Sequence, residues 1–158
     1  NQYSPNEVIK AKDMIDDNFD LIIGSRFKNK NPHKQDGMPF MRYFTNKTMS
    51  LITSGLFGIN LTEFHTGCKI FSKDFFYSIP IKNTSDNYLF SFEIILQAAY
   101  FKKKYGEISI SSSYEGYHTS CNYLNGFIYL LGNIKLMFLY FFSKIKIFKS
   151  KTFNRWKK

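Results

Sequence analysis

The first forty residues carry two hydrophobic patterns that predict different elements. Ser4, Pro5 and Glu7 form a helix-start signal, and apolar residues then recur at helical spacing as far as Phe19. The apolar run after Asp20 is short and ends in a Gly-Ser pair, which predicts a buried strand opening into a polar loop. A helix that feeds such a strand indicates an α/β layered domain.

The middle of the chain repeats the alternation of helix and strand. A helix is predicted from Phe40 until Gly58 stops it. A second helix is predicted to begin at Ser85 or Asp86 and to end at Gly106. The alternating run EISISSS that follows predicts a strand. Between the two helices lies TEFHTGCKIFS, a short run that collects an acid, a histidine, a cysteine and a lysine.

The segment from Asn122 to Phe148 is apolar and aromatic. Its length suits a membrane-spanning helix, which needs roughly 20 apolar residues, but Asn133 and Lys135 near its middle would be costly in lipid. An amphipathic helix lying in the membrane interface fits better. The alternative is a core helix followed by a solvated tail. The residues expected to anchor the tail at headgroup level are Lys144, Lys146, Phe153 and Trp156.

Charge is distributed unevenly over the 158 residues. All 12 acidic residues lie at or before Glu115, whereas eight of the 22 basic residues follow it. The basic C-terminal part predicts an anionic partner, such as lipid headgroups, nucleic acid or a phosphorylated ligand. Two cysteines are too few for a disulfide framework, which favours a reducing compartment. The chain also has no initiator methionine, so we expect it to be a piece of a longer protein.

Two H-x-x-C pairs raise the possibility of a metal site. His65 with Cys68 and His118 with Cys121 supply four nitrogen and sulfur ligands, which a structural zinc ion can use. The spacing differs from the usual C-x-x-C, and a cysteine in an apolar setting is often a small buried hydrophobe. A zinc module therefore stays a minor alternative.

Cations near the predicted strand end point to a phosphorylated ligand. Arg26 follows the strand, Arg42 lies in the first turn of the next helix, and Lys69 lies in TEFHTGCKIFS. Ligands bind at strand ends in open α/β sheets, and guanidinium groups suit phosphate. The alternative is ordinary surface charge. Glu63 and His65 are candidate acid–base groups, or else Glu63 caps a turn and His65 fills a half-buried slot.

Six motifs follow one another in an order that resembles that of a known family. They are NQYSP, DLIIGSRF, MPFMRYFTNKTMSLITSGLFG, TEFHTGCKIFSKDFF, DNYLFSFEIILQAAY and EISISSSYEGYHTSCNYLNGFIYLL. The resemblance covers the chain from Asn1 to about Leu131 and is to the family-2 glycosyltransferases of GT-A type, closest to the polyprenyl- or dolichyl-phosphate sugar transferases. It implies the C-terminal part of an α/β nucleotide-sugar-binding domain with a mixed sheet flanked by helices, within residues 1–121. Residues 122–158 would then form an amphipathic, basic, membrane-proximal segment.

The resemblance also implies roles for individual residues. The family binds Mg²⁺ or Mn²⁺ through an Asp-x-Asp motif, and Gln2 matches the glutamine that supports this metal, although both aspartates are absent. The chain alone is therefore expected to be incomplete and inactive. Candidate catalytic residues are Glu63, Arg26 and Arg42. Candidate substrate-binding residues are Ser25, Thr66, Gly67, Lys69 and His65, while Cys68 would pack inward.

The implied activity is sugar transfer from a nucleotide sugar to a lipid-phosphate or glycan acceptor in cell-envelope glycan synthesis. A lipid phosphate is already anionic and needs no general base, whereas a hydroxyl acceptor would need one, for which Glu63 is the candidate. The basic, aromatic tail favours a lipid acceptor and a peripheral position on the cytoplasmic face of a membrane. The alternative class is a non-catalytic basic module that binds membranes or nucleic acid. Nucleic acid is the less favoured partner, because the aromatic residues of the tail lie at helical spacing.

Overall fold

The structure is a computed structural model that describes residues 5–114 and 123–154. Contacts divide these residues into two compact units. Unit 1 comprises the described residues up to Ser72 together with 104–114, and unit 2 comprises 73–103 and 123–154. Both units are built mainly from helices, and unit 1 also holds a sheet. Gln2, His118, Cys121 and Trp156 lie outside the described residues, so the predictions made for them stay predictions.

Unit 1 contains a three-stranded mixed sheet with helices. Its elements are α1 (Pro5–Asp16), β1 (Leu21–Ser25), α2 (Pro32–Gln35), α3 (Phe40–Phe57), β2 (Lys69–Phe71) and β3 (Tyr105–Ser109). The strand order is β2-β1-β3; β1 pairs antiparallel with β2 and parallel with β3. All five residues of β1 are buried, as its continuous apolar run predicts. The expectation of an α/β fold with a mixed sheet is confirmed.

Helix α3 has the predicted length and the predicted end. Gly58 adopts the left-handed conformation with φ of 65°, and its N–H donates to the Ser54 carbonyl at 2.9 Å. This conformation favours glycine. The polar stretch before α3, predicted as loop, contains the single turn α2, which Asn31 caps by accepting from the N–H groups of His33 and Lys34.

Unit 2 consists of α4 (Lys73–Ser78), α5 (Phe90–Tyr100), α6 (Tyr123–Lys144) and two short 3₁₀ turns, Ile81–Asn83 and Lys151–Phe153. The predicted bounds of α5 are wrong at both ends. Ser85 lies outside the helix because its N–H and hydroxyl donate to the Glu93 carboxylate. Gly106 does not end the helix but belongs to β3, where a Cβ would lie 2.9 Å from side-chain atoms of Met14 and Phe19.

Helix α6 matches the predicted C-terminal helix and is long and apolar enough to cross a membrane by length and composition. Its buried side is partly polar and includes Asn133 and Ser143, while its large apolar side chains are mostly exposed. Lys144 and Lys146 are exposed, so their expected membrane contact stays a prediction. The expectation for Phe153 is wrong, because this side chain is only 3% exposed and packs against the rings of Tyr100 and Tyr140.

Candidate functional site

The candidate site lies in unit 1, where the parallel strands β1 and β3 end. The two strands run side by side from Leu21 with Tyr105 to Ser25 with Ser109. The chain leaves both at the same edge of the sheet, and the Ile110 N–H donates to the Ser25 carbonyl at 2.9 Å. This edge is the part of an open α/β sheet where ligands bind. The segment from Thr62 to Lys69 lies against it.

A buried ion pair joins the loop after β1 to this segment. Arg26 is 5% exposed and Glu63 is fully buried. The carboxylate of Glu63 accepts the Arg26 main-chain N–H at 2.6 Å and the Nε–H at 2.8 Å, and it also accepts from Nη2. Because both carboxylate oxygens are engaged and shielded from water, Glu63 holds Arg26 in place. This corrects the expectation that Glu63 is a general base, since a base needs an accessible oxygen within reach of the substrate proton.

Arg26 and Arg42 meet at Tyr114. Arg26 Nη1 donates to the Tyr114 hydroxyl at 2.6 Å, and the Arg42 guanidinium carbon lies 5.9 Å from the centre of the Tyr114 ring, within range of a cation–π contact. Arg42 is half-buried, in the first turn of α3. The structure therefore brings together the two arginines that the sequence singled out. Tyr114 was missed as a site residue, although it lies within the motif EISISSSYEGYHTSCNYLNGFIYLL.

A second hydrogen-bond network supports the loop that follows β1. The hydroxyls of Ser25 and Thr62 lie 2.6 Å apart, and the Glu107 carboxylate accepts from the Thr62 N–H at 2.8 Å and from its hydroxyl at 3.0 Å. Ser25 is fully buried, and its hydroxyl also accepts the N–H groups of Phe27 and Lys28 at 3.1 Å. Ser25 therefore supports the loop and does not present its hydroxyl to a ligand, which corrects the expectation that it binds substrate.

The turn from Thr66 to Lys69 shapes the other side of the site. Thr66 is fully buried, and its hydroxyl accepts the Cys68 N–H at 3.1 Å, which explains a tight turn with Gly67 exposed. The Lys69 ammonium donates to the Thr66 carbonyl. Thr66 thus holds the turn from inside, whereas Gly67 is exposed and Lys69 is half-buried.

Burial and neighbouring cations alter the protonation of the site. Burial, assisted by Lys69 and Arg26, lowers the pKa of His65 to about 3. Burial also lowers the pKa of Lys69 to about 7; Glu63 and Cys68 oppose this shift, and Arg26 adds to it. His65 is therefore neutral at pH 7, and Lys69 changes charge near neutrality. Arg26, Arg42 and a partly charged Lys69 lie with the two carboxylates of Glu63 and Glu107, so the cluster keeps a small net positive charge that suits an anion.

Cys68 packs inward, as predicted. It is buried, and a Cβ added to Gly24 in β1 would lie 2.8 Å from its sulfur and 2.8 Å from Ile110 Cδ1. Only a glycine fits between these neighbours without displacing them. Across residues 5–114 and 123–154 no group of three or more histidine, cysteine or acidic side chains could hold a metal ion. The zinc hypothesis needs His118 and Cys121, which lie outside these ranges.

Comparison with known proteins gives two curated relatives. One is an uncharacterized protein of Methanocaldococcus jannaschii, 31% identical over 129 residues, which are 80% of this chain and 52% of that protein. The other is the UDP-N-acetylglucosamine–dolichyl-phosphate N-acetylglucosaminyltransferase of Methanococcus voltae, 28% identical over 117 residues, which are 73% of this chain and 46% of that protein. The chain thus spans about half the length of the curated relatives it matches. No family model matches the chain, and no solved structure matches it.

Proposed function

We propose that this chain is part of a glycosyltransferase that moves a sugar from a nucleotide sugar to a lipid phosphate at a membrane surface. The observation that carries the proposal is the similarity, over 73% of the chain, to a protein named for sugar transfer to dolichyl phosphate. The cationic cluster at the ends of β1 and β3 supports it, because a lipid phosphate is an anion. The finer assignment, to the family-2 glycosyltransferases of GT-A type, rests on the resemblance of the motifs.

In the proposed reaction the acceptor phosphate oxygen attacks the sugar and a nucleoside diphosphate leaves. The attacking oxygen is already anionic, so no proton has to be removed from it. Two anions must instead be brought together against their repulsion, and fixed cations can do this. Arg42 and Lys69, both half-buried, are the candidates for this role, and the exposed Gly67 lies beside Lys69 in the chain. Arg26, held by Glu63 and Tyr114, is the buried charge that fixes the site, and neutral His65 lines it.

A divalent cation, Mg²⁺ or Mn²⁺, would supply charge for the leaving diphosphate in this chemistry. The described residues do not fit such a cation, because Glu63 is occupied by Arg26 and no cluster of potential ligands surrounds it. Gln2, the residue proposed to support the metal, lies outside them. We therefore derive no step through the metal. We propose that its main ligands belong to a longer form of the protein, so that the 158-residue chain alone is inactive.

The test uses UDP-N-acetylglucosamine and dolichyl phosphate in vesicles, the substrates named for the M. voltae relative. A longer protein that includes the upstream coding sequence should transfer sugar, and Arg42→Ala should lower its rate by about tenfold or more, since one charge-assisted contact is lost. Lys12→Ala, which removes an exposed lysine of α1, is the matched control and should change little. Transfer by the 158-residue chain alone, or an unaffected Arg42→Ala variant, would contradict the proposal.

A non-catalytic membrane-binding module is the second candidate, and the exposed apolar side of α6 favours it. Such a module would float with anionic vesicles in every form, and the longer protein would show no transfer with any nucleotide sugar. Binding to an oligonucleotide instead of to vesicles would identify the nucleic-acid alternative. These outcomes separate the two classes without further structural information.

A further inference from the structure

Helix α3 presents an apolar face to solvent that neither the sheet nor the rest of the described unit 1 covers. Its exposed large side chains are more than two-fifths accessible each. Spacings of four, seven and eleven residues place them on adjoining rows of the helix. The opposite side, which includes Met49, Ser50 and Thr53, faces the interior. The members of this apolar face are Phe40, Met41, Phe44, Leu51, Ile52 and Leu56.

The side chains of the apolar face make few contacts that would explain their hydrophobicity. Phe40 and Phe44 stack on one another with ring centres 6.3 Å apart, and His33 lies edge-on to Phe40 at 5.6 Å. Leu51 and Leu56 remain more than 60% exposed. A contiguous apolar surface of this kind on a folded unit indicates a binding surface. The helix is about 27 Å long at 1.5 Å per residue, so the surface is extended and suits a flat partner.

Charge decides between the possible partners. Helix α3 has no acidic residue, and its two charged residues are Arg42 and Lys47. An apolar face with only basic residues on its helix is typical of helices that lie in the interface of an anionic membrane. A second copy would bring like charges together, which disfavours self-association.

We propose that the apolar face of α3 lies in the headgroup region of an anionic membrane. It is a membrane contact of unit 1, independent of α6 in unit 2. Because Arg42 belongs to the same helix and contacts Tyr114, this contact would hold the cationic cluster at the depth of lipid phosphates. That last consequence rests on the proposed function, whereas the membrane contact itself does not.

The experiment places a tryptophan reporter on the apolar face. The single native tryptophan is first replaced by Trp156→Phe; then Leu51→Trp is compared with Tyr77→Trp, a change at an exposed aromatic residue of α4 in unit 2. The probe is a vesicle of phosphatidylglycerol and phosphatidylcholine with brominated acyl chains. We expect bound vesicles to quench Leu51→Trp at least about twofold and Tyr77→Trp far less, because only the first would reach the acyl boundary.

Two outcomes would overturn the proposal. One is that the tryptophan fluorescence of Leu51→Trp stays unquenched although the protein floats with the vesicles, which would mean that α6 makes the membrane contact. The other is a blue shift that depends on protein concentration without lipid, which would identify a second copy as the occupant. Phe44→Ser with Ile52→Ser should weaken vesicle binding by about tenfold or more. The vesicles contain no polyprenyl phosphate and no nucleotide sugar, so a failure of sugar transfer would not change this result.

Discussion

Glu63→Gln is the sharpest test of the structure, because it removes a charge and keeps the size of the side chain. Glu63 is fully buried, and Arg26, at 5% exposure, directs its main-chain N–H, Nε and Nη2 at the carboxylate. Removing one member of a buried ion pair costs about 3–5 kcal/mol, since the other charge is left without compensation. The amide can still accept a hydrogen bond, so we expect a loss near the lower end, about 3 kcal/mol.

The measurement should report on unit 1 alone, because two compact units make a single global free energy of unfolding ill-defined. Native-state hydrogen exchange of the β1 amides does this; the Gly24 N–H, which donates to the Cys68 carbonyl at 2.9 Å, is a suitable probe. Asp16→Asn is the matched control. This substitution breaks the exposed ion pair between Lys12 Nζ and Asp16 Oδ2, which lie 3.7 Å apart, and should lower the stability of unit 1 by less than about 0.5 kcal/mol.

A double-mutant cycle separates the charge effect from packing. Arg26→Met combined with Glu63→Gln removes both charges, so the loss in the double variant should be smaller than the sum of the two single losses by at least about 1 kcal/mol. The reasoning is refuted if the two single losses add up to the loss in the double variant within about 0.5 kcal/mol. It is also refuted if the β1 amide hydrogens of the Glu63→Gln variant exchange as slowly as those of the unmodified chain. Either result would mean that Glu63 does not hold Arg26 and remains available to a substrate.

Other predictions follow from the surroundings of single residues. Gly24→Ala should destabilise unit 1 by about 1–3 kcal/mol through overpacking, measured by the same native-state hydrogen exchange. Gly55→Ala, where an added Cβ meets nothing within 4 Å, should instead stabilise α3 by about 0.5–1 kcal/mol. Equal effects of the two substitutions would contradict this prediction. Because the folded pKa of His65 is lowered from 6.5 to about 3, unit 1 should lose stability as pH falls through this range. His65→Gln should flatten that part of the profile, and an unchanged profile would count against the assignment. NMR titration of the Lys69 side chain should give a pKa of about 7, and a value near 10.5 would show that the ammonium is solvated. Tyr114→Phe should lower the affinity for the lipid phosphate and cost unit 1 about 1–3 kcal/mol of stability, since the ring under Arg42 is retained but the buried Arg26 Nη1–H loses its acceptor. Unchanged hydrogen exchange in unit 1 would contradict the Arg26–Tyr114 hydrogen bond.

Much of the fold could be predicted because local patterns and tertiary contacts agree. The apolar run at Leu21–Ser25 predicts a buried strand, and the strand is buried throughout. Gly58 predicts a helix end, and it takes the left-handed conformation there. The start of α5 could not be read in this way, because Ser85 bonds to Glu93, a partner that only the folded helix places nearby.

The candidate site was predicted in its residue types but not in its connections. Arg26, Arg42, Glu63 and Lys69 were recognised from their positions near a strand end and from family resemblance. The pairing of Arg26 with Glu63 spans 37 residues, and the contact of Arg26 with Tyr114 spans 88. No local sequence pattern encodes pairings across such separations along the chain. Only the structure therefore shows that Glu63 positions Arg26 and is not a candidate base.

By itself the sequence determined the order of helices and strands, the concentration of positive charge after Glu115, and the set of polar residues from which a site could be made. These properties depend on neighbours along the chain, where spacing and side-chain chemistry act directly. Tertiary structure decided which residues are buried and which charges meet. It placed Phe153 in a core and left the apolar face of α3 in solvent, because burial depends on the elements that pack over a side chain, and these lie far away in the sequence.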